Sequence, residues 1–157
     1  MEIYLLRHGI AENARPGAPD AERALTDEGK DKLRRVLKRA RVEPSLILSS
    51  PYRRAVETAE VAGEALGYKG KVVRTKALVP EASPYDAWEE LRGRSGERAV
   101  LLAGHEPMMS TLAAFLLDSP ALQVDMKKAA LIRIDCEKTG PKPGGVLKWM
   151  LTPAVCE

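Results

Sequence analysis

Short apolar runs alternate with segments of helical period along this chain. Ile3-Tyr4-Leu5-Leu6, Leu46-Ile47-Leu48 and Ala99-Val100-Leu101-Leu102-Ala103 are uninterrupted, the pattern of strands covered on both faces. Between the first two runs, Leu33, Val36, Leu37 and Ala40 recur at helical spacing. Ahead of them, Thr26-Asp27-Glu28 supplies a capping hydroxyl and two acids suited to the positive end of a helix dipole. After the second run, Ser50-Pro51 predicts a cap and a first-turn proline for a helix that buries Ala55, Ala59, Ala62 and Leu66. Lys71 to Arg74 predicts a short strand. Ala77 to Tyr85, with Pro80 and Pro84, predicts a loop before a helix through Trp88 and Leu91, and another helix starts near Pro107. Ala129 to Ile134 and Val146 to Leu151 read as two strands joined by a turn at Thr139 to Gly145. That turn is too short for a parallel crossover, so the pair is antiparallel. The expected fold is α/β: a three-layer αβα sandwich in one domain over residues 1–157, with a mostly parallel central sheet and an antiparallel C-terminal edge.

Composition narrows the function. A core of this size buries roughly 70% of the unfolded chain's surface. The longest stretch without a charge or histidine, Pro107 to Leu117, is too short to cross a bilayer, and Met1-Glu2-Ile3-Tyr4 begins no secretory signal. The expectation is a cytoplasmic protein with no membrane partner. Net charge is only +3, no Lys/Arg run exceeds two residues, and seven residues are aromatic, so nucleic acid is not an expected partner either. Cys136 and Cys156 form no zinc pattern with the two histidines.

Three predicted strands run directly into polar clusters: Arg7-His8-Gly9, Ser49-Ser50-Pro51-Tyr52-Arg53-Arg54 and Gly104-His105-Glu106. Ligands of open parallel sheets bind beyond the carboxyl ends of the strands, so both histidines of the chain fall at the expected ligand edge. Arg53 and Arg54 occupy a helix's first turn, where positive charge costs about 0.3–1 kcal/mol unless an anion binds there. Two histidines and at least two arginines at one edge suit a dianionic phosphoryl group better than a carboxylate.

Leu6-Arg7-His8-Gly9 resembles the R-H-G signature of the histidine phosphatase superfamily. Leu25-Thr26-x-x-Gly29 is similar to its L-T-x-x-G segment, Ser50 to Thr58 to its S-x-x-x-R-A-x-x-T segment, and Gly104-His105 to its second histidine motif, all in the family's order. The resemblance implies that His8 is the nucleophile, forming a phosphohistidine intermediate, and that Arg7, Arg54 and His105 hold the phosphoryl oxygens. Gly9 would sit among the substrate-binding residues. It implies no metal and no cofactor, since fixed cations can supply the electrostatic stabilisation. Glu81, in the loop after the third strand, stands by position as the general acid.

Only 50 residues separate Arg54 from His105, leaving no room for the large insertions that cover the site in mutases and sugar bisphosphatases. An open, shallow site favours a phosphorylated protein, and the chain looks most similar to the short SixA-type phosphohistidine phosphatases, with Arg7 to Glu12 as the shared opening. A small phosphate ester is the alternative substrate, and a non-catalytic phosphate-recognition module the alternative class. Glu12 either orients His8 or stays solvated. Arg53 and the pair Lys127-Lys128 read as solvated surface charges, Met108-Met109 as helix packing, and Tyr52 as either pocket rim or half-buried packing.

Overall fold

Side chains of a strand alternate between its two faces, and β1 (Glu2–Arg7) buries both. Ile3 and Leu5 join one core with Val100, Leu102, Trp88, Leu91, Met109 and Leu112. Tyr4 and Leu6 join a second core with Leu101, Ala103, Leu33, Val36, Leu37, Ala59 and Ala62. The first core is roofed by α3 (Pro84–Arg92) and α4 (Met108–Leu116), the second by α1 (Asp27–Ala40) and α2 (Arg53–Leu66). The result is the three-layer sandwich expected from the apolar runs. This computed structural model describes residues 1–137 and 140–157.

The remaining strands are β2 (Leu46–Ser49), β3 (Val72–Arg74), β4 (Ala99–Gly104), β5 (Leu131–Asp135) and β6 (Val146–Leu151). The sheet order is β3-β2-β4-β1-β5-β6. The first four strands are mutually parallel, whereas β5 runs antiparallel to β1 and β6 antiparallel to β5. Of the predicted turn between β5 and β6, Thr139 lies outside the described residues. Cys136 and Cys156 are both free thiols. Among the described residues, no helix is long and apolar enough to cross a membrane.

Two helix starts differ from the sequence reading. α2 begins at Arg53, with Tyr52 as its N-cap and no side-chain cap bond, so Ser50-Pro51 does not open it. Ser50 is instead fully buried, its hydroxyl committed elsewhere. α3 begins at Pro84, because Ser83 and Asp86 close a capping box that ends the predicted loop before Tyr85. Thr26 caps α1 as expected, its Oγ1 accepting from Gly29 N at 3.0 Å.

The Leu25-Thr26-x-x-Gly29 segment fastens α1 to the chain that leaves β1. Thr26 N and Oγ1 both donate to Ile10 O, at 2.9 and 3.3 Å. The first turn of α1 then lies so close that a Cβ on Gly29 would stand 2.3 Å from that same carbonyl oxygen. Backbone cannot yield as a flexible side chain can. Gly29→Ala is therefore expected to cost about 1–3 kcal/mol, read as a lowered urea midpoint at unchanged slope; a wild-type midpoint would contradict this packing account.

Candidate active site

The parallel register aligns the ends of β2, β4 and β1. Arg7 lies opposite Gly104, and Ser49 opposite Ala103. The ladder continues one step further, with His8 N donating to Gly104 O at 2.9 Å and Ser50 N to Ala103 O at 3.0 Å. His8, Ser50 and His105, each the residue after a strand, are thereby fixed at one edge. Their side chains are almost fully buried, His8 being 7% and His105 1% exposed.

A hydrogen bond assigns the imidazole proton of His8. Nδ1 of His8 lies 2.7 Å from Gly9 O. A carbonyl only accepts, so Nδ1 carries the proton and the Nε2 lone pair is free to attack. The His105 ring lies 5.3 Å away, centroid to centroid, tilted by 58°. Its Nε2 is 2.8 Å from Ser50 Oγ. Ser50 Oγ also accepts from Tyr52 N at 3.3 Å. His105 Nδ1, the other ring nitrogen, has no hydrogen-bond partner among the described residues.

Two guanidiniums complete the edge. Arg7 donates from Nη1 to Met126 O at 2.8 Å. Arg54, only 5% exposed, donates to Asp20 O at 2.9 Å and Asp20 Oδ2 at 3.1 Å. Arg54 also lies over the Tyr52 ring at 5.1 Å, and that ring meets His105 edge-on, so Tyr52 packs between two site residues. Thr58 Oγ1 donates to Arg54 O at 2.7 Å and accepts from Gly9 N at 3.2 Å, tying α2 to the loop that carries His8.

Among the described residues, the buried side-chain nitrogens or oxygens without a hydrogen-bond partner are Arg7 Nε, Arg54 Nε and His105 Nδ1. The two guanidinium nitrogens are donors, and all three atoms belong to the residues expected to hold phosphoryl oxygens. A buried donor without an acceptor costs about 1–3 kcal/mol, a penalty that an oxyanion accepting from these donors would relieve. No group of three or more His, Cys, Asp or Glu that could hold a metal occurs among the described residues.

Other expected site residues fall elsewhere. Gly9 spends its N–H on Thr58, so that amide is not free for substrate; its carbonyl orients His8 instead. Glu12 is nearly half exposed beside Arg15 and does not orient His8. Glu81 is exposed in the turn before α3, with no hydrogen bond or ion pair among the described residues. Arg53 is exposed against Glu57, and Met108 and Met109 are core residues. The sequence reading missed Asp20, which sits in a polar loop without pattern, and took Ser50 for a helix cap. Thr58 stood in the recognised segment without an assigned task.

Electrostatics keep both imidazoles neutral. Burial pushes His8 down to about 4; the Gly9 hydrogen bond opposes this, and Arg54, Arg7 and Lys128 add to it. Burial likewise lowers His105 to about 3, helped by His8 and Arg54 and opposed by Asp20. The unfolded chain, with ordinary histidines, binds more protons below about 6.5. The two neutral rings therefore contribute stability that is present above about 6.5 and lost as pH falls through about 4 and 3. NMR titration of the chain's two histidines is expected to show no midpoint near 6.5, with urea midpoints falling below that pH. A midpoint near 6.5 for either ring would contradict the burial account.

The sequence model of the histidine phosphatase superfamily, branch 1, matches residues 3–79. The chain is 28% identical over 160 residues to phosphohistidine phosphatase SixA of Escherichia coli K12, covering 98% of this chain and 94% of that protein. It is 31% identical over 137 residues to an uncharacterised Picosynechococcus protein, covering 84% and 83%. Among solved structures, the protein histidine phosphatase SixA complexed with tungstate matches with a TM-score of 0.85 at 26% identity over the whole of both chains. The alpha-ribazole phosphatase of Shigella flexneri, at 18% identity and covering 98% and 97%, shares the fold alone, with a TM-score of 0.75. With the R-H-G strand end, the paired histidines and these relatives together, the chain belongs to the histidine phosphatase superfamily and is a phosphatase.

Proposed function

We propose that the protein hydrolyses phosphohistidine on a protein substrate without a metal, through a phosphorylated His8. The observation that carries the reading is the pair of partnerless buried donors on Arg7 and Arg54, with the unpartnered Nδ1 of His105, beside the lone pair of His8 Nε2. A SixA relative is described as complexed with tungstate, a tetrahedral oxyanion of the kind such donors suit. In the first step Nε2 attacks phosphorus and the P–N bond to the substrate's imidazole breaks, its electron pair leaving on that nitrogen, which takes a proton. Water then attacks the phosphorus of phospho-His8, releasing phosphate and restoring the free imidazole. Neither step changes oxidation state. Charge on the transferring oxygens is met by two guanidiniums and, in its Nδ1–H tautomer, by His105, groups already held in place before substrate arrives.

Leaving-group chemistry defines the role we propose for Glu81. An imidazole leaves far more readily than an alkoxide, so a proton donor matters chiefly for phosphate esters. Glu81 is exposed, and the role assigned to it is to give that proton to a docked ester. The small-ester reading keeps the same His8 chemistry but needs that acid more.

Phosphate release from a phosphohistidine-bearing protein domain and from an aryl phosphate, both in EDTA, tests the reading. Wild type is expected to favour the domain, with His8→Ala at least about 10³-fold slower on both substrates. Glu81→Gln is expected to slow only the ester. Inhibition by EDTA would end the metal-free mechanism, and preference for the ester would move the assignment to a small-molecule phosphatase.

A further inference from the structure

The segment Met126 to Ala130 is bound at both ends to catalytic residues. Met126 O and Ala130 O accept from Arg7, through Nη1 at 2.8 Å and the backbone N–H at 3.1 Å. Ala129 N donates to His8 O at 3.2 Å, and Ala130 N closes a turn onto Lys127 O at 2.9 Å. Ala129 adopts φ 64°, a conformation alanine rarely takes, while 1% exposed. Strain of this kind persists only where surrounding bonds impose it. Its effect is to place Lys127 and Lys128 at the tip of a turn anchored to the nucleophile's own backbone. Lys128 stands close enough to lower the pKa of His8.

Beside this turn lies a pocket of roughly 520 Å³ lined by Arg7, Lys32, Lys127 and Lys128, with Ile10, Ala129, Pro153 and Ala154 as its apolar surface. Arg7 is the single residue it shares with the phosphoryl site, so it extends that site toward β5 and β6. Two of its cations are already matched, Lys127 by Asp125 at 3.0 Å and Lys32 by Glu28 at 3.3 Å. Lys128 is exposed and has no ion pair among the described residues. An apolar floor under a basic rim with an uncompensated ammonium is complementary to a protein segment bearing carboxylates.

We infer that this pocket docks an acidic segment flanking the phosphohistidine of the substrate protein, with Lys128 as the specificity-determining residue that reads it. The inference rests on the phosphohistidine reading above. Lys128 acts on encounter and residence of the substrate, because a rim charge steers association and falls off within the Debye length.

Two chemically phosphorylated peptides provide the test, each with one phosphohistidine and identical except for three flanking Glu in one and three Gln in the other. Wild type is expected to favour the Glu peptide by about tenfold in kcat/KM, through KM, at low salt. Lys128→Ala is expected to shrink that ratio about three- to fivefold, and Lys128→Arg to keep it. Taking the ratio removes any change in the shared chemical step and any loss of folded enzyme. Equal release from both peptides by wild type, or an unchanged ratio in Lys128→Ala, would overturn the inference and leave the phosphohistidine reading standing. Release from neither peptide while an aryl phosphate is turned over would overturn both.

Discussion

Burial of positive and hydrogen-donating groups at the ends of three parallel strands is the constraint around which this molecule is built. Arg54 and both histidines are all but withdrawn from water, yet among the described residues Arg7 Nε and Arg54 Nε find no acceptor and His105 Nδ1 no partner. At about 1–3 kcal/mol apiece, such donors weigh heavily against a total stability of about 5–15 kcal/mol for a domain. The two apolar cores, one on each face of the sheet, offset that penalty. Fold stability and anion recognition are opposed here, and the same groups that weaken the empty site would strengthen the complex with a phosphoryl group.

Each donor is immobilised by a neighbour that has no part in the chemistry. Gly9 O fixes the tautomer of His8, Ser50 holds the His105 ring, and Asp20 and Met126 O each hold a guanidinium by its terminal nitrogens. Thr58 joins Arg54 to Gly9, tying α2 to the loop that carries His8. Asp20 is the exception to this rigidity. It is more than half exposed and also paired to Arg23, so its hold on Arg54 is solvent-screened and easily exchanged for substrate oxygens.

Much of this was legible in sequence because apolar runs and strand-end clusters are local signals. The three main strands, the antiparallel C-terminal pair and the convergence of Arg7, His8, Arg54 and His105 followed from pattern and from the ordered motifs. What was illegible depends on tertiary contact. Ser50-Pro51 has the composition of a helix start, but the parallel register carries Ser50 under His105, and a buried imidazole nitrogen outcompetes a cap. Glu12 lies four residues from His8 and still turns to solvent, because backbone from Gly9 already satisfies the ring. Gly9 has the look of a phosphate-binding glycine, whereas its amide belongs to Thr58. The Lys127-Lys128 pair reads as ordinary surface charge until the turn that carries it is seen hydrogen-bonded to His8 and Arg7.

In the proposed reaction His8 Nε2, held neutral with its lone pair free, takes the phosphoryl group. Rapid acid-free quenching of a single turnover, followed by phosphorus NMR and peptide mapping of the protein, tests it most directly. A transient, acid-labile and base-stable phosphoramidate on His8 is expected, abolished in His8→Ala. Full single-turnover release with no phosphorylated protein at any time, or label on His105 instead, would contradict it.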